Sequence, residues 1–354
     1  MVFRWFGKNH DCISLDYIRQ IPSVTGIVTS LMDVKAGEIW TQAQISAVKD
    51  YVKSFNLEME VIESVNIHED IKTGLGKRDF YIENYIKTIK NLSTVGVKCI
   101  CYNFMPVFDW LRTDLYHPMA DGSSAMYYDR AYIDAVEDTS TLIQGIQENS
   151  NGFSLPGWEP ERLAEIQSLF EIYKHIDEEK LFENLQYFLK AIIPVCEKCD
   201  IKMAIHPDDP PWNIFGLPRI ITSEKNLQRV VRLVNSPCNC VTLCSGSLGA
   251  NPENDIPKTI RSLGDRIAFA HVRNIKHEKG GNFGEVSHLS SDGSLDLYEI
   301  MKAYHDIGFT GYIRPDHGRM IWNERGRPGY GLYDRALGIA YLNGLIEAIR
   351  KNNK

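Results

Sequence analysis

The sequence predicts an α/β fold, a closed (β/α)8 TIM barrel with a long insertion between its fourth and fifth strands. Three observations carry that expectation. Eight short apolar, β-branched runs recur along the 354 residues, too short for helices and read as buried parallel strands. Segments of helical periodicity lie between them, which argues for a parallel sheet with helices packed outside. The first turn, FRWFGKNHD, lacks the GxGxxG expected of an open doubly wound sheet, so eight repeats favour closure into a ring.

The expected strands are residues 2–6, 26–31, 59–64, 98–105, 202–206, 240–245, 267–273 and 312–316. Helices are expected over 43–55, 79–92, 179–196, 224–234, 295–305 and 334–349. In the first of these Ile45, Val48, Val52 and Phe55 fall on one face. The rhythm breaks over roughly 106–201, an insertion that opens with PVFDWLRTDLYHPMADGSSAMYYD and later carries NSNGFSLPGWEPERL. Long segments at the C-terminal end of a strand serve as lids or subunit contacts, and an added helical hairpin on the surface is the plainer alternative. No linker or low-complexity tract divides the chain, so residues 1–354 read as a single catalytic domain.

Bulk properties exclude several classes. A net charge of -7 with no basic run argues against nucleic acid. No apolar stretch approaches the roughly 20 residues of a membrane span, and the start MVFRWFGKNHDCISL does not resemble a secretory signal. The expected location is therefore cytoplasmic. The eight cysteines then read as reduced thiols rather than a disulfide framework. Cys196 and Cys199 form a CxxC with Cys238 and Cys240 further on, but the spacing is wrong for a standard zinc knuckle.

In such a barrel, functional groups sit where strands end and βα loops begin. The last four strands end in IHPDD, LCSG, AHVRN and RPDHG, and so present His206, Cys244, His271 and Asp316 at equivalent depth. A lone histidine or cysteine at a strand end is usually structural, but four in succession converge on one mouth. Nitrogen, sulfur, nitrogen and oxygen donors suit Zn, Fe or Mn, while the thiolate argues against Mg and Ca.

The runs IHPDDPPWNIFGLPRI, LCSGSLGANPEND, FAHVRN and RPDHGRM, with GIVTSL, ESVNIHEDIKTGLGKRD and RPGYGLYDRALGIAYLNGL, strongly resemble the mannonate dehydratases of hexuronate breakdown across the whole chain. The resemblance implies a xylose-isomerase-like barrel that uses Mn2+ or Fe2+ to convert D-mannonate to 2-keto-3-deoxy-D-gluconate and water. It implies His206, Cys244, His271 and Asp316 as metal ligands, and His317 and Tyr330 as the proton-transfer residues. A histidine with a pKa near 6.5 suits the role of base, and the tyrosine then protonates the leaving hydroxyl, although the sequence permits the reverse.

Candidate substrate-binding residues are Asn103, Arg273, Asn274 and Arg78, the last in a glycine-bearing loop that could cradle an anion. Asp208 and Asp209 could orient a ligand histidine, and Trp110 and Arg112 could close over substrate. The partner is a small sugar acid, and a homo-oligomer, with a dimer favoured, is expected. The rivals are a metal-dependent sugar isomerase or epimerase on the same scaffold, and a non-catalytic binding protein on a decayed barrel. Cys244 as a ligand and His317 beside Asp316 favour the dehydratase over the first; the complete set of residues disfavours the second.

Overall fold

The computed structural model describes residues 1–136 and 166–352. Its strands, in chain order, are β1 (Val2–Arg4), β2 (Gly26–Thr29), β3 (Glu58–Glu63), β4 (Cys99–Tyr102), β5 (Asp114–Pro118), β6 (Ser124–Tyr128), β7 (Lys202–Ile205), β8 (Asn239–Cys244), β9 (Ile267–Val272), β10 (Ile275–His277), β11 (Phe283–Glu285) and β12 (Tyr312–Pro315). Eight of them pair in the order β1-β2-β3-β4-β7-β8-β9-β12, each ladder parallel. β12 packs beside β1 and brings the ring to near closure. Each predicted strand corresponds to one of these eight, though several end earlier: residues 98–105 contain only Cys99–Tyr102, and the chain beyond enters the loop that lines the mouth.

Two layers of side chains explain why these runs are strands. One inner cluster fills the ring with Val2, Val28, Val61, Cys99, Cys101, Ala204, Cys240, Ala268 and Phe269. Small residues dominate there because side chains from several strands must share one narrow interior. Cys240 therefore belongs to the barrel filling, whereas Cys196 lies in the separate core between sheet and helices, and all eight cysteines are free thiols. β8 and β9 are buried along their whole length, as expected of strands covered on both faces.

The surrounding helices begin at side chains that satisfy orphan backbone N–H groups. Thr41 and Gln44 form a capping box on Gln42–Lys53. Asp177, Ser223, Asp255 and Asp296 cap Glu178–Cys199, Glu224–Leu233, Ile256–Leu263 and Leu297–Asp306. The helix Ile256–Leu263 was not among those expected; it is only 8 residues long and carries a proline in its first turn, which leaves little periodicity to read. Among the described residues no helix is long and apolar enough to cross a membrane.

The first part of the insertion departs from the helical-hairpin alternative. It is the β-hairpin β5–β6, which joins β10 and β11 in an antiparallel sheet of order β10-β11-β6-β5. β10 and β11 come from the loop after β9, so two segments remote in sequence build one small sheet. A further bridge from Ser124 to Met320 ties the hairpin to the loop after β12. The NSNGFSLPGWEPERL run lies outside the described residues.

Candidate active site

Four side chains from adjacent strands meet at the C-terminal mouth of the barrel. His206 follows β7, and its backbone N–H continues the ladder to Tyr102. Cys244 ends β8 and caps the short helix Ser245–Gly249. His271 lies in β9, and Asp316 follows β12 with its N–H on Val272. One donor atom from each lies within 4.8 Å of all the others. Metal–ligand bonds of about 2.0–2.3 Å fit such a cluster.

The local bonding prepares these donors. His206 Nδ1 lies 2.7 Å from the Pro207 carbonyl oxygen, which places a proton on Nδ1 and leaves Nε2 bare, 3.1 Å from His271 Nδ1. Burial lowers the His206 pKa, and burial together with the Arg314 charge brings His271 down to about 3. Both imidazoles are therefore neutral near pH 7, the form that ligates. Burial opposes ionisation of Asp316, but His317, Arg314 and Arg273 prevail and hold its carboxyl well below the usual range. Cys244 Sγ accepts from Ser247 N–H at 3.4 Å and Ser247 O–H at 3.1 Å, contacts that suit a thiolate. The donor set fits a divalent transition metal.

Glu63, at the end of β3, backs this cluster and was missed in the sequence. Its Oε2 lies 3.4 Å from His271 Nε2, and its Oε1 accepts from Arg314 Nη2 at 3.0 Å. A carboxylate against the far nitrogen of a ligand histidine fixes the ring's tautomer. The available signal was its place at a strand end, the criterion applied only to the last four strands.

Beside the cluster, His317 Nε2 and Tyr330 Oη are 2.8 Å apart. Burial, with the Asp316 charge, raises the Tyr330 pKa, so the phenol remains protonated. His317 Nδ1 lies 2.9 Å from Glu285 Oε1 and 2.8 Å from Arg273 Nη1. Glu285, on β11, was also missed. It belongs to a buried ring of alternating charges: Arg112 contacts Asp209 at 2.8 Å and Glu285 at 2.9 Å, and Arg273 contacts Asp209 at 2.5 Å and Glu285 at 2.6 Å. Gly246 permits this packing, because a Cβ there would run into the Arg273 side chain.

A cavity opens onto these groups, lined by Glu63, Asn103, Trp110, His206, Asp316, His317, Tyr330 and others. The candidate residues divide accordingly. Asn103 lines the cavity while its Oδ1 accepts from Met105 N–H at 3.3 Å. Trp110 lines it and packs edge-on against the His317 ring at 5.7 Å. Arg112 and Arg273 are wholly buried in the charge ring rather than reaching into the cavity. Asp209 also belongs to that ring. Asp208 instead secures a turn, accepting from Ile221 N–H at 2.7 Å. Asn274 is committed to the Leu289 carbonyl and to the N–H groups of Ile275 and Leu295, at 2.7–3.0 Å. Arg78 stacks on Tyr187 at 3.7 Å and is not among the cavity-lining residues.

Eight parallel strands in a ring give the chain a xylose-isomerase-like TIM-barrel fold, with a four-donor cluster and a histidine–tyrosine pair at its mouth. A xylose isomerase domain protein from Planctomyces limnophilus shares this fold with a TM-score of 0.54 at 11% identity, over 99% of this chain and 97% of that one. The sequence pattern of the D-mannonate dehydratase (UxuA) family matches residues 1–354, and the chain belongs to that family. It is 60% identical to a mannonate dehydratase of Thermotoga neapolitana, over 99% of this chain and 98% of that protein. It is 59% identical to that of Brachyspira hyodysenteriae, over 100% and 99%. The crystal structure of mannonate dehydratase from Streptococcus suis serotype2 superposes with a TM-score of 0.90 at 42% identity, covering 100% of this chain and 95% of that one. The enzyme is thus a carbon–oxygen lyase, a mannonate dehydratase.

Proposed function

We propose that the chain dehydrates D-mannonate to 2-keto-3-deoxy-D-gluconate in hexuronate catabolism, with one Mn2+ or Fe2+ held by His206, Cys244, His271 and Asp316. The observation that carries this reading is the convergence of those four donor atoms, within 4.8 Å of one another, beside the His317–Tyr330 contact of 2.8 Å. The cation, when bound, supplies Lewis acidity toward the negative charge that develops next to the substrate carboxylate.

The remaining work falls to the chain. His317 Nε2 takes the proton from C2 as that C–H bond breaks, and the electron pair forms the C2–C3 double bond. Tyr330 Oη gives its proton to the departing C3 hydroxyl, which leaves as water. The enol so formed ketonises to the 2-keto acid. Because Nε2 and Oη are in direct contact, the proton gained by His317 can return to Tyr330 and reset both groups. Asn103, at the cavity wall, is placed to hold a substrate hydroxyl. Free thiols throughout suit the reducing cytoplasm, where we place the reaction.

Anaerobic incubation of the purified protein with D-mannonate and Mn2+ or Fe2+, with product identification by mass spectrometry, tests this reading. A 2-keto-3-deoxy acid is expected. Turnover of aldoses to ketoses without that acid would overturn it.

A further inference from the structure

We infer that Glu285 is the positioning residue of the proton-transfer pair, and that Arg112 of the inserted segment holds it in place. This rests on His317 and Tyr330 being that pair. It makes the small antiparallel sheet part of the catalytic machinery rather than a cover over it.

Two groups face His317 Nδ1: the Glu285 carboxylate at 2.9 Å and Arg273 Nη1 at 2.8 Å. A bare Nδ1 would set its lone pair against an anion. A protonated Nδ1 donates a charge-assisted hydrogen bond to it. Arg273 Nη1 carries two N–H groups, and one of them donates to the same Glu285 oxygen at 2.6 Å; the carboxylate, which can only accept, is the neighbour that requires a proton on Nδ1. The proton of a neutral His317 therefore sits on Nδ1. Nε2 is left bare, facing Tyr330 Oη at 2.8 Å, which is the state a base requires.

Glu285 could not hold this position alone. It lies on the 3-residue strand β11, opposite Ile275 of β10, and β11 is flanked on its other side by β6 of the insertion. Burial would favour its neutral acid, but His317, Arg273 and Arg112 outweigh that and keep the carboxyl ionised. Arg112 bridges from Glu285 to Asp209, and Arg273 closes the circuit. Trp110, two residues before Arg112, packs edge-on against the same imidazole. The insertion thus restrains His317 twice: directly through Trp110, and through Arg112 and Glu285. A ring serving only to fasten the small sheet to the barrel would be indifferent to which imidazole nitrogen carries the proton.

The test is 15N NMR of the zinc-loaded enzyme, with the His317 signals identified by their loss in His317→Asn. The wild type is expected to show a protonated Nδ1 and a bare Nε2; a proton on Nε2 would overturn the inference. This spectrum is decisive whether or not the Glu285 and Arg112 variants fold. In Glu285→Gln the amide N–H can turn toward Nδ1, which should move the imidazole proton to Nε2. By comparison with amidation of the carboxylate in a Ser-His-Asp triad, kcat should fall by about 10²–10⁴-fold, with KM for mannonate and bound metal unchanged. Arg112→Lys, which keeps the charge but loses the two-pronged contact, should lower kcat by about threefold or more on the same terms. Unchanged kcat in Glu285→Gln alongside an inactive His317→Asn sinks this inference alone. A fully active His317→Asn sinks the underlying assignment of the pair.

Discussion

Cys244 and Asp316 share one proton: the thiol donates from Sγ to Oδ2 across 3.3 Å. Burial pushes the Cys244 pKa up to about 12, so this proton persists at neutral pH until a cation displaces it. His206 and His271 are already neutral and Asp316 already ionised. Binding of one divalent cation near pH 7.5 should therefore release about one proton, from Cys244. Calorimetric titration of Mn2+ in two buffers of different ionisation heat measures that number. Affinity should rise with pH, and Cys244→Ser should abolish the release while weakening binding.

Chemistry and metal retention separate at the neighbouring residues. His317→Asn and Tyr330→Phe should each bind metal as the wild type does, yet lose about 10²–10⁴-fold in kcat. Metal analysis of the purified variants, with steady-state rates on D-mannonate, checks both. Loss of metal from either variant would mean that the residue serves the cation rather than the proton.

Glu63 should act through His271. With its Oε2 at 3.4 Å from His271 Nε2, replacement by Gln should cost about 10–100-fold in metal affinity. Saturating Mn2+ should recover most of the lost activity. Equilibrium dialysis and a metal titration of the rate measure the two effects separately.

Much of this site was legible in the sequence, for a geometric reason. In a βα repeat the residue that ends each strand faces the barrel mouth, so His206, Cys244, His271 and Asp316 could be aligned by counting strands. Glu63 satisfies the same rule but offers the cation no donor of its own in that set, so a search for four ligands passes over it. Glu285 had no local signal. It sits on Phe283–Glu285, a strand too short for periodicity, and one of that strand's two ladder neighbours, β6, lies far upstream. Arg112 and Arg273 were visible as cations near the site and so suggested substrate contacts. Only the fold shows that Asp209 and Glu285 consume their charge internally. Asn274 suited a binding role equally well by position, but its amide is occupied by the loop backbone.

The charge ring should also set the acid limit of the protein. Burial would raise the Asp209 pKa, but Arg112 and Arg273 outweigh it and hold the carboxyl far below its ordinary range. Its folded-state pKa is thus lower than the unfolded value of about 3.9. The stabilisation is therefore complete above about pH 4 and is lost as pH falls toward the folded value; Glu285 contributes in the same direction. Thermal melts followed by circular dichroism from pH 3 to pH 8 should show a steep acid limb. Asp209→Asn should be less stable at neutral pH by about 3–5 kcal/mol, because it strands buried arginines, and should show a shallower acid limb.

The shared sheet of β5–β6 and β10–β11 constrains how this scaffold can be recombined. Each hairpin supplies the hydrogen-bonding edge that the other lacks, through Phe283 opposite Tyr128 and Gly284 opposite Tyr127. Grafting one of the two loops from a more distant homologue would leave mismatched edges next to His317. The two segments form one module for exchange, although more than a hundred residues of chain, a whole arc of the barrel, separate them.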